Sequence, residues 1–217
     1  MGKHIDPAVA ASQYYAGCGL LARTLARWRP RICPFGPLLE WVEPGSSVLD
    51  VGCGTGVWLL TLANTERMAD GTGCDISSRA LIIGARAFDE YRKSGGKAQV
   101  TFLQTPSMAD WPKGPFDVVS LIDVLHHVRP EEQEQYLLRA LSLVRRGGRL
   151  IYKDMASSPW WAAWGNRLHD LILARQWIWY FPSENVHDAV RKAGASVRHA
   201  ECWRVWFYAH ELLIVDR

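Results

Sequence analysis

Long apolar runs are what this chain most clearly lacks: no stretch approaches the roughly 18 residues needed to span a bilayer, so a membrane-spanning helix is not expected. Paired cysteines are missing too. The five present, Cys18, Cys33, Cys53, Cys74 and Cys202, are odd in number and form no CxxC pair. Neither a disulfide framework nor a structural zinc site is therefore expected, and no metal is assigned. Charge of one sign is scarce as well, since 25 Lys and Arg against 22 Asp and Glu leave a formal +3. That balance predicts no broad basic face for nucleic acid. Arg23, Arg27, Arg29 and Arg31 form a local cluster, readable either as a solvated helix face or as a surface that leans on something acidic. The opening residues hold no apolar signal core, and the chain is expected in the cytoplasm. Internal repeats and low-complexity segments are also absent.

What is present is enough apolar material for one core: 48% of 217 residues are hydrophobic, which suits a single domain over 1–217. From about Ser46 onward short strand-like runs alternate with amphipathic stretches, the signature of an α/β fold. Strands are expected at Ser46–Val51, Thr72–Ile76, Val100–Gln104, Phe116–Ile122 and Arg149–Lys153. Helices are expected at Gly56–Met68, after a cap at Ser77 with an apolar face of Leu81, Ile82, Ala85 and Phe88, at Pro130–Val144, and at Glu184–Ala193 behind a cap at Ser183. Two closing strands, Ser196–Trp203 and Glu211–Val215, have no helix between them and predict an antiparallel hairpin. The expected architecture is a three-layer Rossmann-like sandwich with a seven-stranded, mainly parallel sheet. Residues 1–42 form a helical extension with a helix at Leu20–Trp28, and 155–182 form a Trp-rich insertion.

The most informative segment is Asp50-Val51-Gly52-Cys53-Gly54-Thr55-Gly56. It turns a strand sharply into a helix, and its glycines let backbone approach a ligand with no Cβ in the way. A dinucleotide loop needs G-x-G-x-x-G, whose last position here is Val57; the third glycine stands instead at Gly56. The nicotinamide-dependent oxidoreductase reading fails on that spacing. An acid, Asp75, ends the second strand, Phe116-Asp117-Val118-Val119 opens the fourth, and Gly147-Gly148 leads into the fifth. In this order the motifs resemble those of class I S-adenosylmethionine-dependent methyltransferases of the small-molecule type, from about Ser46 to the end of the chain. The resemblance implies donor contacts from Asp50, Gly52, Cys53, Gly54, Gly56, Asp75, Ile76, Ser107, Met108 and Ile122, with S-adenosylhomocysteine as product. The family often places an acid after the third strand for the adenine amino group. Here that stretch is Gln104 to Asp110, leaving two readings: contact through Ser107, Met108 or Ala109, or Asp110 reaching round.

Methyl transfer from a sulfonium depends largely on positioning and exclusion of water. A base helps where the acceptor is a hydroxyl or an activated carbon. His126 and His127 follow the fourth strand at the edge where open α/β sheets bind ligands, and related enzymes carry a similar L-H-H segment. The resemblance extends a base or acceptor-orienting role to this pair, without choosing between the two, against a purely structural role. Lys153 and Asp154 end the fifth strand and are expected to emerge on the same edge, Asp154 to orient a histidine or polarise the acceptor, Lys153 to bind an acidic group, or either to form only an exposed ion pair or a helix cap. Trp160, Trp161, Trp164, Leu168, Leu171 and Ile172 recur at helical spacing, followed by Trp177, Trp179, Tyr180 and Phe181. This segment is read as a lid over an apolar, aromatic or polyene-like acceptor, free or carrier-bound, or as core packing, or as a contact with a membrane surface. With Lys153-Asp154 before it, the run from Asn166 to Trp177 resembles methyltransferases of bacterial aryl-polyene and related pathways. Three other classes are weighed: the oxidoreductase, a non-catalytic binding partner, and a nucleic-acid methyltransferase, whose N-P-P-Y-like or proline-cysteine motif is absent.

Overall fold

The computed structural model describes residues 9, 11–156, 179–205 and 208–217. Two compact units divide the chain, Met1–Pro112 and Lys113–Arg217. In the first, strands β1 (Ser46–Val51), β2 (Met68–Asp75) and β3 (Gln99–Gln104) are parallel, with β2 paired to both others. Every residue of β1 except Ser47 is buried, as expected of a parallel strand covered on both faces. Helix α1 (Leu20–Ile32) and the short α2 (Gly36–Leu39) precede the sheet, and a 3₁₀ segment, Ser12–Cys18, precedes them. Helices α3 (Val57–Asn64) and α4 (Ser78–Lys93) follow β1 and β2.

Helix α3 is shorter than the expected 56–68. Thr65 bonds through its hydroxyl to the carbonyls of Thr61 and Leu62 at 2.8 and 3.2 Å, closing the last turn. The chain then reverses through Glu66, at φ 57°, into a second strand that begins at Met68 rather than Thr72. Helix α4 has the predicted cap, with Ser77 Oγ accepting from the Ala80 amide at 3.2 Å, but its inward face is rotated. Leu81, Gly84, Ala87, Phe88 and Tyr91 are buried. Ile82 is 54% exposed and Ala85 lies outside as well.

In the second unit, β4 (Phe116–Ile122) pairs in parallel with β5 (Val144–Met155), β5 antiparallel with β7 (Tyr208–Asp216), and β7 antiparallel with β6 (Ser196–Val205). The closing hairpin is as expected. β5 starts directly at the end of helix α5 (Pro130–Leu143), earlier than the expected Arg149, with Gly147 at φ 72° bending it from within. In helix α6 (Ser183–Lys192), Ser183 is the first helical residue rather than the cap; Pro182 takes that position without a side-chain bond. The strands run β3-β2-β1 in the first unit and β4-β5-β7-β6 in the second, the mixed Rossmann-like arrangement expected from the alternation.

Candidate active site

The glycine loop in the first unit is built from backbone hydrogen bonds. The amides of Gly52 and Cys53 both donate to the Cys74 carbonyl, at 2.8 and 3.1 Å, and the Gly56 amide to that of Cys53 at 2.9 Å. Gly56 opens α3 at φ 74°, a region that disfavours a Cβ. A Cβ there would also stand 2.9 Å from the Phe102 ring. Asp50, at the end of β1, is buried, as is Cys53, whose thiol is pushed well above its ordinary range by burial, then by the Asp50 and Asp75 charges. Cys53 therefore stays a neutral small residue.

Asp75 grips both sides of the loop. Its Oδ2 accepts from the Gly54 amide and its Oδ1 from the Ser77 amide, each at 2.8 Å. The carboxylate remains half-exposed and so keeps acceptor capacity for a ribose hydroxyl. Beside it Ile76 is 69% exposed, an apolar side chain that a base plane would cover. Ser107 and Asp110 are tied to each other: Asp110 Oδ2 accepts from the Ser107 amide at 3.1 Å and from its hydroxyl at 2.8 Å. Asp110 thus closes its own turn, with Met108 half-buried within it.

One residue of this unit was not legible beforehand. Tyr15, from the 3₁₀ segment, is fully buried and donates its hydroxyl to the Thr55 carbonyl at 2.7 Å. Burial pushes its pKa up, so the phenol holds its proton and braces the loop.

In the second unit Ile122, buried, ends β4, and Asp123 follows at φ 56°. That left-handed conformation is tolerated by Asp better than by most residues. Here it is held by the Asp123 amide donating to the Lys153 carbonyl at 2.8 Å and by an ion pair from Lys153 Nζ to Asp123 Oδ1 at 2.5 Å. Lys153 is fully buried, so it holds the end of β4 in place of meeting an acidic substrate group. Lys153 and Asp154 sit at the same carboxyl edge but on opposite faces of β5, and both bond to the segment that follows β4, Lys153 to Asp123 and Asp154 to His126.

The kink at Asp123 leads into a 3₁₀ turn, Leu125–His127, which separates the two histidines. His126 is 2% exposed, its Nδ1 hydrogen-bonded to Asp154 Oδ1. Asp154 also accepts from the amides of His126 at 3.3 Å and Met155 at 2.7 Å. His127 is exposed and its ring lies against that of His126, tilted by 52° with centroids 4.0 Å apart. A buried carboxylate on Nδ1 favours the tautomer with its basic lone pair on Nε2. Gln133, a polar residue on the inner face of α5, donates to the carbonyls of Leu125 and Trp179, both at 3.0 Å. The Trp179 amide donates to the His126 carbonyl at 2.9 Å. The histidine turn is thereby fastened to the chain that leaves residues 157–178, which, with most of the expected lid, lie outside the described residues.

Glu211 completes the cluster. It faces Asp154 directly across the β5–β7 pair, where opposite side chains are neighbours, and it is 4% exposed. Tyr152 donates its hydroxyl to Glu211 Oε1 at 3.1 Å. Burial, then the Asp154 charge, raise the Glu211 carboxyl from 4.5 to about 8, although the Tyr152 bond opposes the shift. The native carboxyl holds its proton to higher pH than an unfolded one, so its contribution to stability is lost as pH rises from about 4.5 to about 8. Glu211→Gln abolishes this term. The expected result is a melting temperature for the native chain that falls relative to the Gln variant by at most about 3–5 °C per pH unit over that window, read by thermal denaturation. Equal slopes for the two proteins would refute it.

These elements define the class of S-adenosylmethionine-binding methyltransferase domains: a glycine loop between β1 and α3, an acid ending β2, and the closing antiparallel hairpin. A family model described as a methyltransferase domain matches residues 20–200. The chain belongs to that family, whose methyl donor is S-adenosylmethionine. It is 30% identical over 147 residues to the ubiquinone biosynthesis O-methyltransferase of Bordetella avium, covering 62% of this chain and 58% of that protein. It thus spans about three fifths of the length of the curated relatives it matches. Among solved structures, magnesium protoporphyrin IX methyltransferase from Synechocystis PCC 6803 with bound S-adenosylhomocysteine superposes with a TM-score of 0.70 at 20% identity, covering 96% of this chain and 93% of that one. A 1,6-didemethyltoxoflavin-N1-methyltransferase from Burkholderia thailandensis does so at 0.62 and 18%, covering 100% and 91%. The fold is therefore shared by enzymes of different acceptors and does not itself select one.

Proposed function

We propose that the chain transfers a methyl group from S-adenosylmethionine to a hydroxyl of a small, apolar, aromatic or polyene-like acceptor, with His126 as general base. The observation that carries this reading is the buried pairing of His126 Nδ1 with Asp154. It orients the ring and prepares Nε2 to take a proton from an acceptor hydroxyl near neutral pH. The O-methyltransferase relatives favour oxygen over carbon as the methylated atom. S-adenosylmethionine, when bound, supplies an electrophilic methyl on a sulfonium. Asp75 would hold its ribose, Ile76 and Met108 would flank its adenine, and the glycine loop from Asp50 to Gly56 would admit the rest. Asp154 orients His126, and His127 covers it.

Both compact units serve one methyltransferase in this reading, since the family match runs through both. Five cysteines with no disulfide among them favour a reducing, cytoplasmic setting, and no described helix is long and apolar enough to cross a membrane. The test is transfer of labelled methyl from S-adenosylmethionine to a panel of phenols, quinols and acyl-thioesters, with the product analysed. A methyl ether on a phenol or quinol is expected. Label on carbon, or S-adenosylhomocysteine binding with no transfer to any member, would overturn the proposal, the latter in favour of a non-catalytic partner. Asp75→Ala should weaken S-adenosylhomocysteine binding by about 10–100-fold in calorimetry, the loss expected for a hydrogen bond to a charged acceptor.

A further inference from the structure

Helix α1 (Leu20–Ile32) is amphipathic in the reverse sense. An ordinary surface helix turns its large apolar residues inward. Here, among the described side chains, the buried ones are alanines, Ala22 at 9% and Ala26 at 1% exposure, while Leu20, Leu25 and Trp28 stand 83%, 59% and 46% exposed. Among the described residues these are three of the five exposed large hydrophobics, the others being Ile76 and Ile82. The helix holds four arginines and no acid. Arg23, Arg27 and Arg31 lie at positions that share one strip with Leu20 and Trp28, and the six side chains of that strip, Thr24 included, line one shallow depression. The Arg31 guanidinium sits 5.0 Å from the Trp28 ring centroid.

We propose that α1 is a docking surface for an anionic lipid bilayer, lying flat in the interface with Leu20, Leu25 and Trp28 inserted and the arginines at the phosphates. Leucines and a tryptophan beside arginines suit the boundary between headgroups and acyl chains, where Trp rings settle and arginines reach up to the charge. The helix is about 20 Å long, enough to lie along a surface and too short to cross one. The strip also has little that would specify register against a folded acidic protein: its one neutral polar side chain, Thr24, turns its hydroxyl back to the Leu20 carbonyl at 2.8 Å. A fluid surface of negative charge needs no such register. The face shares no residue with the glycine loop, and its docking does not depend on which acceptor is methylated.

Flotation of the full chain with vesicles of phosphatidylcholine, alone or mixed with phosphatidylglycerol, tests this. The chain should float with the mixed vesicles only, and less at high salt. Arg23→Gln/Arg27→Gln/Arg31→Gln should weaken binding roughly a hundredfold, about fivefold per arginine, and Leu20→Ser/Leu25→Ser/Trp28→Ser should abolish stable flotation. All six side chains are exposed, so circular dichroism and melting temperature should stay at the native values. No flotation, equal flotation on neutral vesicles, or flotation unchanged in both variants would overturn the assignment. Retention on polyglutamate without vesicle binding would overturn it too, and give the face to an acidic protein.

Discussion

His126→Asn is expected to lower kcat by about 10²–10⁴-fold, the range a positioned general base contributes, while S-adenosylhomocysteine binding stays near the native value. Asparagine is the informative substitution because its amide nitrogen can still donate to Asp154, where the imidazole Nδ1 does now. The buried carboxylate keeps a partner, so the fold should persist, and only the titratable Nε2 is removed. The pH profile separates catalysis from structure. In the native enzyme, activity should rise through the pKa of the imidazole as Nε2 loses its proton, and that limb should vanish in the variant. His127→Ala should have a far smaller effect, because His127 is exposed where His126 is buried against Asp154. Unchanged turnover in His126→Asn would sink the base assignment.

Lys153→Met carries the largest expected loss of stability. Lys153 is 0% exposed and its partner Asp123 8% at the side chain, so methionine would fill the volume but leave the buried Asp123 carboxylate without its cation. Breaking one side of a buried pair costs about 3–5 kcal/mol, which for a chain of this size is a fall of roughly 10 °C in melting temperature. Adding Asp123→Asn should restore much of it, since the stranded charge goes and asparagine also accepts the left-handed backbone at φ 56°. If the double variant is no more stable than Lys153→Met alone, the pair is not what holds this corner. Activity should fall along with stability in the single variant, because the kink at Asp123 leads directly into the turn that carries His126.

How far the site was legible follows from the distance over which each interaction acts. The glycine loop and its acid could be read because β1, the loop and α3 form one continuous piece, and because Asp75 stands at a strand end that periodicity locates. The histidine pair could be located but not resolved. Which ring turns inward is settled by a carboxylate 28 residues later. For Lys153 an acidic substrate group and an exposed ion pair both stayed open, since its partner Asp123 lies 30 residues earlier. Glu211 gave no signal at all: an isolated acid in a strand reads as a solvent-facing residue until the antiparallel register sets it against Asp154. The rotated face of α4 has the same origin. Ile82 fits an apolar stripe as well as Gly84 does, but Gly84 is where the helix comes close to Phe102 and the Thr55 carbonyl.

The Trp-rich segment, on which the sequence argument about the acceptor leaned, lies outside the described residues except for its end at Trp179, Tyr180 and Phe181. What the structure adds there is the fastening of Trp179 to the His126 carbonyl and to Gln133. Gln133 could have been noticed as a polar residue inside an otherwise apolar stripe.

Alternation of strands and helices, glycine spacing and the acid ending β2 are local patterns, and local patterns were sufficient to determine the α/β class and the methyl donor. The buried His126–Asp154 and Lys153–Asp123 pairs, the raised Glu211 carboxyl beside Asp154 and the outward leucines of α1 depend on which residues the folded chain brings together or leaves to solvent. Desolvation and charge pairing act through space, so only the tertiary structure could decide them.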